Sequence, residues 1–112
     1  MEYTRGMDEN LATQAILKLR ADREWQKFHT PSNLAKSISI ESAELLECFQ
    51  WSDEVDRQAV LSELADVLTY CYFLASDLDA IPSELVANKL KETIRKYPIK
   101  KSKGISTKYD KL

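Results

Sequence analysis

The sequence predicts an all-α fold, four helices in a bundle-like arrangement, and three observations carry that expectation. Only two glycines and three prolines occur among 112 residues, between long runs of good helix formers. Apolar residues recur at helical spacing, as in Leu34, Ile38, Leu45 and Phe49 and again in Val60, Leu64, Val67 and Cys71. Breaks fall at His29-Thr30-Pro31-Ser32, at Trp51–Asp56, at Asp79–Pro82 and at Tyr97-Pro98.

Each helix follows from its own residues. The first is expected to begin at an Asp8 N-cap and to run to about Phe28, with Leu11, Ala15, Ile16, Leu19, Trp25 and Phe28 as an interrupted stripe. Pro31 disfavours helix at Thr30, and Ser32 then suits the cap of a second helix over about Asn33–Gln50. Asp53 or Asp56 caps a third, extending to about Leu78. Beyond Asp66 that helix is apolar nearly all round, through Val67, Leu68, Tyr70, Cys71, Tyr72, Phe73, Leu74 and Ala75. A helix apolar on every side is buried on every side. Four helices cannot surround one of their own, so a second subunit over the third helix is expected, in a homodimer or homotetramer. Pro82 suits the first turn of a fourth helix, about Ser83–Lys96, and the residues beyond it read as an extended or poorly ordered tail.

Length and composition bound the function. The chain reads as one domain, 1–112, with 44% apolar and 30% charged residues, as in a soluble globular protein. The first ten residues lack the apolar core of a signal peptide, and the longest apolar run, Val67–Ala75, is too short to span a bilayer. Cys48 and Cys71 lack metal-type spacing and read as reduced core thiols, which points to the cytoplasm. The net charge of −2 is unevenly spread. Residues 96–112 carry six lysines against one aspartate, leaving an acidic body. A basic tail can touch nucleic acid, but its aromatics are only Tyr97 and Tyr109 and the body is acidic, so no nucleic-acid partner is expected, and the tail reads as a solvated terminus or a cationic arm for an acidic neighbour or a substrate's phosphates.

The chemistry lies in two acidic pairs, Glu41 with Glu44 and Glu63 with Asp66, each at i,i+3 and so each on one helix face. Eighteen residues separate Glu44 from Glu63, enough to end one helix and enter the next. Paired acids at this spacing are most often a solvated face. Glu41, however, falls on the apolar stripe of the second helix, where a carboxylate is costly unless paired or metal-bound. Glu47 lies farther round, near Lys36, and reads as surface. Two adjacent helices can point four carboxylates into one gap, and such a cluster opposes its own ionisation unless cations fill it. A di-iron centre normally takes Glu-x-x-His on two helices, and the one histidine, His29, is in a loop. All-oxygen ligation instead favours Mg²⁺, with Mn²⁺ as the alternative. Tyr70 lies one turn beyond Asp66 on the same face, within reach of a phosphate or simply in the core.

These residues also carry a family resemblance. Trp25–Leu34 is similar to a "W..FH.P.NL" pattern, Glu41–Trp51 to "E..EL.E.FQW" and Glu63–Tyr70 to "EL.DVL.Y". Together they resemble the MazG-like all-α nucleotide pyrophosphohydrolases, in the small branch that includes dCTP pyrophosphatases, over roughly residues 19–112. The resemblance implies Mg²⁺-dependent hydrolysis of a nucleoside triphosphate to the monophosphate and pyrophosphate. It matches Glu41, Glu44, Glu63 and Asp66 to metal ligands, with Glu41 or Glu44 as the group that takes the proton of water. It matches Trp25, His29 and Trp51 to the base pocket and Lys89 to a phosphate contact. One departure stands out: Thr93 and Ile94 occupy positions where the family often has Asn and Arg. Two rival readings are a non-enzymatic helical module with an acidic docking face and a pyrophosphohydrolase acting on phosphoribosyl-ATP.

Overall fold

A computed structural model describes residues 6–112, and among them there is no strand. Part of the N-terminal stretch read as lacking a leader, residues 1–5, lies outside the described residues. The helices are α1 (Glu9–Asp22), α2 (Pro31–Glu47), α3 (Arg57–Asp77), α4 (Pro82–Lys96) and the single turn α5 (Ile99–Ser102), with 3₁₀ turns at Trp25–Phe28 and Tyr109–Lys111. Contacts gather in two compact units, residues 1–80 and 81–112.

In the first unit Asp8 caps α1 as expected, its side chain accepting from the Leu11 N–H at 2.8 Å. The helix stops at Asp22 rather than near Phe28. The N–H groups of Arg23 and Glu24 fold back onto the carbonyls of Arg20 and Ala21, and Glu24 takes a left-handed φ of 53°. That reversal starts a separate 3₁₀ turn, Trp25–Phe28, which delivers His29 against α3.

The cap of α2 is Thr30, not Ser32. Its hydroxyl accepts from the Asn33 N–H at 3.1 Å, and Pro31 occupies the first helical position. Pro31 has no N–H to lose there, so the feature read as a break is the first residue of the helix. Thr30 itself is extended, as a residue before proline should be. At the other end, α2 tightens after Glu47 into i to i+3 bonds from Cys48, Phe49 and Gln50. Of the two aspartates considered for α3, Asp56 is the cap, accepting from the Gln58 N–H at 3.0 Å.

The end of α3 is a Schellman motif. Asp79 N–H donates to Ser76 O at 3.0 Å, Ala80 N–H donates to Ala75 O at 2.8 Å, and Asp79 has a φ of 54°. Glycine is the usual residue at this left-handed position, because a Cβ is disfavoured there. Asp79→Gly is therefore expected to stabilise the fold by about 0.5–1 kcal/mol, raising the melting midpoint by a few degrees. A thermal melt that moves down instead would show that the aspartate side chain holds this turn.

The buried apolar side chains among the described residues are Leu34, Phe73 and Ala75, with Leu34 fully enclosed. Much of α3 is open in a single chain, with Leu61, Leu64, Leu68 and Leu78 exposed. Cys48 and Cys71 are free but half-buried rather than core thiols. The bilayer argument from the sequence considered only Val67–Ala75. The 21-residue α3 holds an 18-residue stretch with a mean hydropathy of 1.2, long and apolar enough to cross a membrane by length and composition. Glu63 and Asp66 lie within it, and a carboxylate at such depth costs about 2.5–3.5 kcal/mol.

The second unit corrects the expected loose tail. After α4, the Tyr97 hydroxyl accepts from the Tyr109 N–H at 3.2 Å, and the two rings meet edge to face with centroids 6.1 Å apart. The Lys96 ammonium sits 4.5 Å from the centre of the Tyr109 ring. Leu85, Val86, Leu90 and Ile94 leave one face of α4 open.

Candidate active site

The site is built on the helical hairpin α2–α3, which pack against each other. Early residues pair with late ones along it. Glu44 meets Glu63, whereas His29, just ahead of α2, meets Phe73 and Tyr70. The helices are therefore antiparallel. This brings the two i,i+3 pairs face to face.

Carboxylate oxygens of Glu41, Glu44 and Glu63 all lie within 4.8 Å of one another. One oxygen of Glu41 and one of Glu63 is buried without a hydrogen-bond partner. Burial raises the Glu41 pKa above its ordinary value, and a hydrogen bond to Glu44 and the charges of Glu44, Asp66 and Glu63 add to it. Burial likewise raises Glu63, followed by the charges of Glu44 and Asp66. Asp66 stands outside the group of three and is exposed, yet its charge acts on both half-buried acids, Glu41 and Glu63. Glu47, read from the sequence as plain surface, also acts on Glu63. Its i,i+3 spacing from Glu44 was the available signal.

Buried, unpartnered carboxylate oxygens are costly in themselves. A cluster of three, all hard oxygen donors, fits a divalent cation of the Mg²⁺ type. Held by Glu41, Glu44 and Glu63, such an ion would supply positive charge for an anionic ligand and lower the pKa of a bound water.

The remaining residues expected at the site divide. His29 and Tyr70 come together, with ring centroids 6.3 Å apart, and both pack on Phe73. Trp25 is 42% exposed, with the Arg23 guanidinium 5.7 Å from its ring centre. Trp51 is 89% exposed in the α2–α3 turn, so this single chain does not enclose it in a pocket. Lys89 belongs to the second unit, where it pairs with Glu92 at 3.2 Å. Lys96 also reaches Glu92, at 2.8 Å, and these two lysines hold the Glu92 carboxyl down to about 2. Thr93 and Ile94 follow on the same helix, with Ile94 exposed. Sequence reasoning missed Phe73, Arg20 and Asp77, which surround His29.

A helical hairpin with opposed acidic pairs, one member of each at i,i+3 from its mate, defines the class. The chain belongs to the MazG-like family, whose model matches residues 36–112 and so includes all four acids. It is 33% identical to dCTP pyrophosphatase 1 of Mus musculus and, equally, of Homo sapiens, each match covering 82% of this chain. The chain spans 60% of the length of those curated relatives. A pyrophosphatase of known crystal structure from Archaeoglobus fulgidus DSM 4304 is 38% identical, with a TM-score of 0.74 over 88% of this chain and 99% of that one.

Proposed function

We propose that this protein hydrolyses (deoxy)nucleoside triphosphates, dCTP-like ones preferred, to the monophosphate and pyrophosphate in a Mg²⁺-dependent reaction. The observation that carries the reading is the meeting of Glu41, Glu44 and Glu63 within 4.8 Å, with two buried oxygens unpartnered. The names of the relatives, dCTP pyrophosphatase and pyrophosphatase, support it. Glu41, Glu44, Glu63 and Asp66 are the residues that hold the metal in this reading.

Each side chain then has a task. Glu41 or Glu44 accepts the proton of the water that attacks the α-phosphorus, and their mutual hydrogen bond supplies a pair able to share one proton. His29 orients the base by a hydrogen bond, and Trp25 and Trp51 offer rings for stacking. Tyr70, on the same α3 face as Asp66, donates its hydroxyl to a phosphate. Lys89 is assigned to phosphate on the resemblance alone.

The exposed Leu61, Leu64, Leu68 and Leu78 along α3 favour a second copy of the chain as their cover, in a homodimer or homotetramer. Glu63 and Asp66, in the middle of α3, weigh against lipid in that role. Free Cys48 and Cys71 suit the cytoplasm.

A panel of nucleoside triphosphates with Mg²⁺ tests the activity. Phosphorus NMR is expected to show a monophosphate and pyrophosphate in equal amounts and no orthophosphate. Orthophosphate as the first product, or no turnover of any nucleotide, would refute it.

A further inference from the structure

Glu63, Asp66, Tyr70, Phe73 and Asp77 follow one another at spacings of three, four, three and four, so they form one stripe along α3. The stripe begins in the acidic cluster and ends in an ion pair with α1. Arg20 donates both arms of its guanidinium to Asp77, at 2.9 and 3.1 Å, and its side chain is only 12% exposed. The same guanidinium carbon lies 5.1 Å from the centre of the Phe73 ring. Phe73, 3% exposed, receives the His29 ring at a centroid distance of 4.9 Å. At the helical rise, Phe73 stands about 10 Å along the axis from Asp66. That is a separation suited to a ligand with its phosphates at one end and its base at the other.

The loop that carries His29 is itself pinned. The Asn33 side-chain amide donates to the Phe28 carbonyl at 3.0 Å, and the His29 N–H donates to the Gln26 carbonyl at 3.1 Å. On the ring, Nδ1 is buried without a partner. A proton there would be a stranded donor, so the neutral ring with its proton on Nε2 is favoured. The titratable and charged groups around the ring are Arg20 from α1 and Asp77 and Tyr70 from α3. Burial lowers the His29 pKa most, the Arg20 charge lowers it further, and Asp77 opposes both.

We propose that Arg20, clamped by Asp77 against Phe73, is a positioning residue that fixes the His29 ring so that Nε2 meets the substrate's base. The proposal rests on the reading of His29 as a base contact. Arginine suits the task because its planar fork engages both carboxylate oxygens while its face lies on an aromatic ring, which lysine cannot do.

The chain has a single histidine, so one imidazole can be followed by NMR through a pH titration. Arg20→Met is expected to raise the His29 midpoint, because the cation is lost while Asp77 remains. Asp77→Asn is expected to lower it. In steady-state assays on the best nucleotide of the panel, Arg20→Met should raise KM roughly 3- to 10-fold, the loss of one well-placed hydrogen bond, with kcat unchanged. Arg20→Lys keeps the charge without the fork, so its midpoint should stay near that of the parent protein while KM falls between the two. If Arg20→Met does not fold, Arg20→Lys and Asp77→Asn carry the test. Midpoints that do not move in the opposite senses stated, or a fall in kcat at constant KM, would overturn the proposal. Should the parent protein turn over no nucleotide while the midpoints shift as described, the clamp stands and the pyrophosphohydrolase reading is refuted.

Discussion

Glu41→Gln is expected to lower turnover by roughly two to three orders of magnitude while the helical circular dichroism spectrum stays that of the parent. The side chain keeps its shape and loses only its charge and its ability to take a proton. The variant should also differ in stability when divalent ions are chelated. The folded Glu41 has a raised pKa, with burial the leading cause. A raised carboxyl contributes stability that is fully present below its unfolded value and is lost as pH rises through its folded value. Metal-free parent protein should therefore lose stability as pH rises above the ordinary carboxyl range, and Glu63 pushes in the same direction. The amide that Glu41→Gln introduces cannot ionise, so thermal melts of the variant should show a shallower decline over that range. A variant with parental rates would remove Glu41 from the chemistry.

Mg²⁺ should raise the melting midpoint of the parent protein far more than KCl at equal ionic strength. Binding to the folded state alone is worth about 2.7 kcal/mol at a hundredfold excess over Kd. For a chain of this size that corresponds to a shift of roughly 10–20 °C. Glu63→Gln should abolish most of the increment, since it removes one of three converging carboxylates. The measurement also separates the enzyme from a docking module. A diffuse acidic face responds to screening alone, and equal shifts with Mg²⁺ and KCl would mean that no shared site exists.

The acidic residues are legible in the sequence because helical periodicity is a local property. Glu41 on the stripe of Leu34, Ile38 and Leu45 already implies a carboxylate facing another helix. The spacing between Glu44 and Glu63 already implies a hairpin. The capping of α1 by Asp8 and of α3 by Asp56 is legible for the same reason, since each cap bonds an N–H two or three residues away. The end of α1 is not. Nothing local distinguishes Arg23 and Glu24 from helix formers, and the turn there accompanies the packing of His29 on Phe73, a residue 44 positions on. Pro31 misleads for a related reason: its chemistry permits both the end of one helix and the start of another, and Thr30 decides between them.

By itself, then, the sequence determined the helical class, the order of the helices and the acidic pairs, because these depend on contacts within a turn or two. Only the tertiary structure decided that Glu41, Glu44 and Glu63 come within 4.8 Å of one another with Asp66 acting on them from just outside that group, and that Arg20 reaches Asp77 across 57 residues beside His29. Those facts depend on how two helices rotate about their axes when they pack. Rotation is set by the summed fit of many side chains such as Leu34 and Phe73, and no single residue's spacing encodes it.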